Sequence, residues 1–155
     1  MDSGNFPPSS LDRATIMALT LCDFAQIREG LLFIASGGVT RLYRPELPAV
    51  LGPLTLATIV EIAPTELDKA HEIHVRIRHV ESASELLTVT GAMTAPAAGG
   101  GVYEPGESAT IPLAVPLPPN APLHLYGAYD LSASINGGAS ARLTFYVKPT
   151  PRPTT

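Results

Sequence analysis

The chain has 155 residues, of which 45% are hydrophobic and 15% charged, and its formal net charge is −4. This length suits one compact domain with its own core. A net negative charge gives no basic field for binding phosphates, so nucleic acid and anionic membranes are not expected partners. Sixteen prolines and thirteen glycines favour short strands and turns over long helices.

The single cysteine, Cys22, cannot form an internal disulfide, which favours a reducing compartment. Residues 1–8 lack the positive region and the apolar block of a signal peptide. No run of about 18 apolar residues suggests a membrane span. We therefore expect a soluble cytoplasmic protein.

The N-terminal third of the sequence predicts strands separated by turns. Residues 15–22 form an apolar run of strand length, which favours a strand over the alternative, a short buried helix. A second apolar run follows the turn at Gly30, over residues 31–35. Residues 39–43 are expected to continue this second strand past a bulge.

The middle of the sequence contains the clearest alternation. Residues 54–62 are rich in β-branched side chains and predict a strand. Residues 64–70 predict one helical turn or a loop. In residues 72–80, polar side chains at even positions alternate with Ile73, Val75 and Ile77, so one face meets the core and the other meets water or a partner.

The C-terminal half predicts a strand at residues 86–93 and an irregular, glycine-rich passage at residues 95–106. Residues 108–117 alternate again, but two prolines in this segment lack the N–H that a central strand needs, which predicts an edge strand. Residues 126–147 predict a hairpin, because an Asn-Gly pair at its centre suits a tight turn.

About eight short strands with turns between them predict an all-β fold, an antiparallel two-sheet β-sandwich of immunoglobulin-like or jelly-roll-like type. The predicted domain covers residues 13–148. Residues 1–12 are expected to form a flexible N-terminal segment, and residues 149–155 a flexible tail rich in proline and threonine.

The order of these segments resembles a family of small, mostly actinobacterial proteins that is described only as a domain of unknown function. The similarity spans roughly residues 14–148, although Leu31 stands where a lysine would be expected. It implies the β-sandwich fold and no particular activity. The segments that carry it are residues 21–26, 30–34, 72–80, 118–129, 136–138 and 145–147.

No residue pattern predicts a catalytic, cofactor or metal site. His71 and His79 would point opposite to His74 on a strand, so the three cannot converge on one metal ion, and solvated or edge histidines are expected. Cys22 ends an apolar run and is interpreted as a small buried hydrophobe rather than a nucleophile.

We therefore predict a non-enzymatic binding or assembly module that has a protein partner or associates with itself. The predicted interaction face consists of Glu72, His74, Arg76 and Arg78, and the edge strand at residues 108–117 is a second candidate. A small-ligand-binding sandwich is the alternative, followed by a metal-dependent or hydrolytic enzyme.

Overall fold

Strands make up most of the computed structural model, which describes residues 14–95, 104 and 106–154. These residues contain eleven strands, of which eight have seven residues or more, and a short 3-10 turn at Pro64–Glu66. The strands are β1 (Ala14–Arg28), β2 (Leu31–Gly37), β3 (Arg41–Arg44), β4 (Ala49–Val50), β5 (Thr55–Ile62), β6 (Ala70–His79), β7 (Glu85–Thr94), β8 (Ala109–Pro116), β9 (Pro122–Leu123), β10 (Gly127–Ile135) and β11 (Ala141–Pro149).

Two sheets face each other. The first has the order β2-β1-β5-β8 and the second the order β3-β11-β10-β6-β7, while β4 and β9 form a separate pair. All neighbouring strands are antiparallel except β3 and β11. This arrangement confirms the predicted all-β sandwich, whereas the immunoglobulin-like or jelly-roll-like type stays a prediction.

The main core lies between the two sheets and consists mostly of aliphatic side chains from alternate strand positions. The Tyr129 ring stacks on the Phe145 ring with 5.4 Å between their centroids. Each fully buried large side chain contributes on the order of 1.5–3 kcal/mol to folding. Core residues from both sheets include Leu21, Leu56, Val60, Ile62, Val75, Ile77, Leu131, Phe145 and Val147.

Two sequence predictions of local structure are confirmed. Strand β8 lies at the edge of its sheet and pairs, among the strands of the described residues, with β5 alone, so Pro112 and Pro116 remove no hydrogen bond from a central ladder. The turn between β10 and β11 has positive φ angles at Asn136 (51°) and Gly137 (70°), as a type I′ hairpin turn requires.

The predicted continuation of β2 into residues 39–43 is wrong. Ser36 and Gly38 have φ angles of 53° and 78°, so the chain turns out of the first sheet. The amide of Gly38 donates to Thr20 Oγ1, and the amide of Val39 donates to the Leu21 carbonyl. Strand β3 then joins the second sheet, parallel to β11.

The predicted flexible segment at residues 1–12 and most of the glycine-rich passage at residues 95–106 lie outside the described residues. At the other end, β11 runs to Pro149, and the Thr150 amide donates to the Arg44 carbonyl. The domain boundaries stay a prediction.

Candidate functional site

The predicted interaction face lies on the solvent side of β6. Glu72, His74, Arg76 and Arg78 point away from the core, while the alternate positions of the strand are buried, as the alternation predicted. A Glu72 carboxylate oxygen contacts His74 Nε2. Strands β10 and β7 flank β6, so this face belongs to a broad sheet surface.

The neighbouring strands supply opposite charges to this face. Arg76 Nε lies 3.9 Å from Glu85 Oε1, and Asp130 stands directly opposite Arg78 in the register of β10 and β6. Exposed ion pairs of this kind contribute about 0–1 kcal/mol each. The charges therefore suit a solvated sheet surface, and a role of this face in binding stays a prediction.

His79 is not a solvated histidine, which corrects the sequence interpretation. Its side chain is 4% exposed. Ring atom Nδ1 accepts from the Ser82 amide at 3.1 Å, and Nε2 lies 3.0 Å from the Tyr126 carbonyl, to which it donates. The ring also packs edge-on against Tyr129 at 5.0 Å. His79 thus links the turn after β6 and the segment before β10 to the core.

His71 is buried in the same way, at 2% exposure. Its Nε2 lies 2.8 Å from the Glu66 carbonyl and donates to it, while Nδ1 accepts from Asn136 Nδ2 at 2.9 Å. Asn136 Oδ1 also accepts the Glu72 amide at 2.8 Å. This network ties the start of β6 to the β10–β11 turn.

The three neighbouring histidines do not converge. His71 and His79 point into the sandwich and His74 points out, as strand parity predicted. Within the described residues, no three His, Cys, Asp or Glu side chains are placed to hold a metal ion.

Cys22 is fully buried, which confirms its interpretation as a small hydrophobe. Its Sγ donates to the Thr55 carbonyl at 3.2 Å. Burial raises the pKa of the thiol, and the negative charge of Asp23 raises it further. The thiol is therefore protonated at neutral pH and is not an activated nucleophile.

Alkaline pH is expected to destabilise the fold through Cys22 and Tyr129. Burial raises the pKa of both groups, so the folded chain holds their protons more tightly than the unfolded chain does. These groups stabilise the fold fully at neutral pH, and that stabilisation is lost as the pH rises past the ordinary values, about 8.5 for cysteine and about 10 for tyrosine. Urea unfolding between pH 7 and pH 10.5 measures this loss. In Cys22→Ala the decline should begin nearer pH 10, and equal profiles for both proteins would contradict the role of Cys22.

Strands β1 and β2 form a hairpin that extends past the rest of its sheet. The pairing of β1 with β5 ends at Cys22, whereas the pairing of β1 with β2 runs from Cys22 to Arg28. Residues 23–36, which we call the β1–β2 hairpin, therefore have neighbouring strands on fewer sides than the core strands.

One face of the β1–β2 hairpin exposes large apolar side chains beside Gln26 and Arg28. Residues directly opposite in an antiparallel pair share a face, which places Phe24, Phe33 and Leu31 on the same side. These side chains are 54%, 49% and 63% exposed, and we call them the hairpin face. The guanidinium of Arg28 lies 6.0 Å from the centre of the Phe33 ring.

The opposite face of the β1–β2 hairpin packs on a second, smaller core. Cys22, Ala25 and Ala57 are buried there, and Leu32 and Ala114 pack against them. This contact fixes the hairpin on the sheet while the hairpin face remains in solvent.

A known protein family matches nearly all of the sandwich. The sequence model of DUF6941, described as a family of unknown function, matches residues 17–148. The chain belongs to DUF6941. A search of curated proteins found no match. The matched part of this DUF6941 chain includes the β1–β2 hairpin, both buried histidines and the predicted face on β6.

This member of DUF6941 also has an open cleft of about 680 Å³ at one end of the sandwich. The start of β1 and the β10–β11 turn line it, and the lining residues include Thr15, Glu66, Asn136 and Ser140. Residues 1–13, which precede β1 in the chain, are outside the described residues. In the described part of the chain, no helix has the length and apolar content that spanning a membrane requires.

Proposed function

We propose that this chain is a non-enzymatic binding and assembly module that docks through the β1–β2 hairpin. The observation that carries the proposal is the exposure of Phe24, Leu31 and Phe33 side by side on one face. Contiguous exposed apolar side chains typically mark interaction surfaces in globular proteins. The interface thus differs from the polar face on β6 that the sequence suggested.

The size of the exposed surface supports this assignment. The hairpin face exposes roughly 300 Å² of apolar side chains, and Ile27 and Ile34 on the opposite face bring the total for the hairpin to roughly 400–500 Å². The largest apolar patch on a monomeric protein usually measures about 300–600 Å². Leaving such surface in water is unfavourable by about 25 cal/mol per Å², so covering it favours association.

The buried polar groups support a non-enzymatic role. Both ring nitrogens of His71 and of His79 are engaged in hydrogen bonds within the fold, so neither ring is free to act as a base. The Cys22 thiol has a raised pKa and no exposure. A cytoplasmic location is part of the proposal and rests on this single, unpaired cysteine.

Light scattering of the untagged protein across a concentration series tests the proposal. We expect a mass above that of the monomer that rises with concentration. Phe33→Glu places a charge on the hairpin face and should leave a monomer at every concentration. Thr90→Glu, an exposed strand position on the other sheet, is the matched control and should behave like the natural protein.

Circular dichroism of each variant verifies that the fold is retained. A strict monomer for the natural protein, or equal masses for the natural protein and Phe33→Glu, would contradict assembly through the β1–β2 hairpin.

The open cleft favours a second candidate function, binding of a small ligand. Its volume lies within the roughly 300–1,000 Å³ usual for such sites. Native mass spectrometry of the freshly purified protein should then detect a bound small molecule that Ser140→Trp, which fills the cleft, no longer retains. Identical spectra without added mass for both proteins would contradict this candidate.

A further inference from the structure

We propose that two copies of this chain pair through β2, antiparallel and across a two-fold axis, so that their first sheets join into one. This inference rests on the proposed function and specifies the partner as a second copy of the chain. The features that carry it are the free edge of β2, the composition of that edge and the length of its regular part.

Strand β2 is the edge of its sheet and pairs with β1 on one side. Among the residues that the structure describes, no strand pairs with its other side. Backbone N–H and C=O groups along such an edge provide a template for another strand. The edge β8 of the same sheet contains two prolines, but β2 has no proline and no charged residue.

The composition of β2 favours a second copy over a charged or polar peptide. Its sequence is Leu-Leu-Phe-Ile-Ala-Ser-Gly, with the apolar residues exposed on both faces. An apolar, uncharged strand pairs best with another apolar strand, because cross-strand contacts between such side chains are favourable. A two-fold axis provides that complement, since both subunits use the same surface.

Backbone geometry sets the register. Gly30 and Ser36 have φ angles of 73° and 53°, so the regular edge is limited to residues 31–35. If the two-fold axis passes through Phe33, the midpoint of this edge, all five residues pair with β2 of the second copy. If it passes through Ile34, fewer of them do. Leu31 then lies opposite the partner's Ala35, and Phe33 opposite the partner's Phe33.

This register also brings the two hairpin faces together on one side of the joined sheet. Phe24, Leu31 and Phe33 of each copy form one continuous apolar surface there. The charged side chain at the hairpin end is not opposed to a like charge, because Arg28 pairs with Leu31 and is therefore level with the partner's Ala35, about four residues along the strands from the partner's Arg28.

The available surface sets the expected strength of the pair. A standard interface buries about 800 Å² per partner, and the exposed apolar surface of the β1–β2 hairpin reaches roughly half of that. The edge backbone adds to the buried area. We therefore expect a dimer that dissociates on dilution rather than an obligate one.

Cysteine cross-linking between two variants tests the register. Leu31→Cys and Ala35→Cys are prepared separately in a Cys22→Ala background, and both positions are exposed. Directly opposite residues have Cβ atoms about 4.5–5.5 Å apart. Two copies of position 31 are separated along the strands by four residues, about 13 Å. Mild oxidation of the mixture should therefore give at least ten times more disulfide dimer than either variant alone.

Three outcomes are distinguishable when light scattering accompanies the cross-linking. Concentration-dependent dimers with preferential cross-linking of the mixture support the inference. Dimers that Phe33→Glu abolishes, but without preferential cross-linking, keep the proposed function and overturn antiparallel β2 pairing. Monomers at every concentration overturn both. Circular dichroism of the Cys22→Ala parent verifies that the background is folded.

Discussion

Replacing His79 with leucine is expected to lower the free energy of unfolding by about 2–4 kcal/mol. Leucine fills much of the space but leaves the Ser82 amide without its acceptor and the Tyr126 carbonyl without its donor. Polar groups left without partners inside a fold cost about 1–3 kcal/mol each, and the cost is at the low end for the amide of Ser82, an exposed residue. Urea unfolding followed by circular dichroism measures the loss.

His74 on the same strand provides the control. It points out of the sandwich, so His74→Leu should change the free energy of unfolding by less than about 0.5 kcal/mol. Equal effects of His74→Leu and His79→Leu would contradict the structural role assigned to His79.

Replacing Asn136 with alanine is expected to cost a similar amount, about 2–4 kcal/mol. The side chain accepts the Glu72 amide and donates to His71, and both bonds are lost. Alanine also tolerates the φ of 51° at this position less well than asparagine does. The same urea titration measures this variant.

Asn136→Gly separates the two causes. Glycine removes the hydrogen bonds but adopts a positive φ freely, so it should recover about 1 kcal/mol of the loss. Asn120→Ala, at an exposed position, is the control and should be nearly neutral. A loss below 1 kcal/mol for Asn136→Ala would contradict the role of the His71–Asn136 network.

Much of the fold could be predicted because strand signals in this chain are local. The alternation around Val75 predicts which side chains of β6 face the core. The prolines of β8 predict an edge strand, and Asn136-Gly137 predicts a tight turn. The transfer of β3 to the other sheet could not be predicted, since it depends on hydrogen bonds from residues 38 and 39 to distant β1.

The burial of His71 and His79 was misjudged although its signal was present. Both share parity with Ile73 and Val75, which face the core. Parity does not reveal how far the core extends along a strand. Here the Ser82 amide and Asn136 donate hydrogen bonds to the two imidazole rings, and these bonds compensate for the water that the rings lose on burial.

The exposed hairpin was also missed, for a different physical reason. Residues 31–35 are apolar at every position, a pattern typical of strands buried on both faces. Whether such a strand is covered depends on where its neighbours end. Strand β5 stops pairing with β1 at Cys22, which leaves the hairpin face in solvent.

Amide hydrogen exchange at low and high protein concentration tests assembly through β2 most directly. If copies pair through this edge, the amides of residues 31–35 that point away from β1 become protected as the concentration rises. Amides of β7, an edge strand of the other sheet, should keep the same exchange rates and serve as the internal control. Exchange in β2 that is equally fast at every concentration would contradict the account.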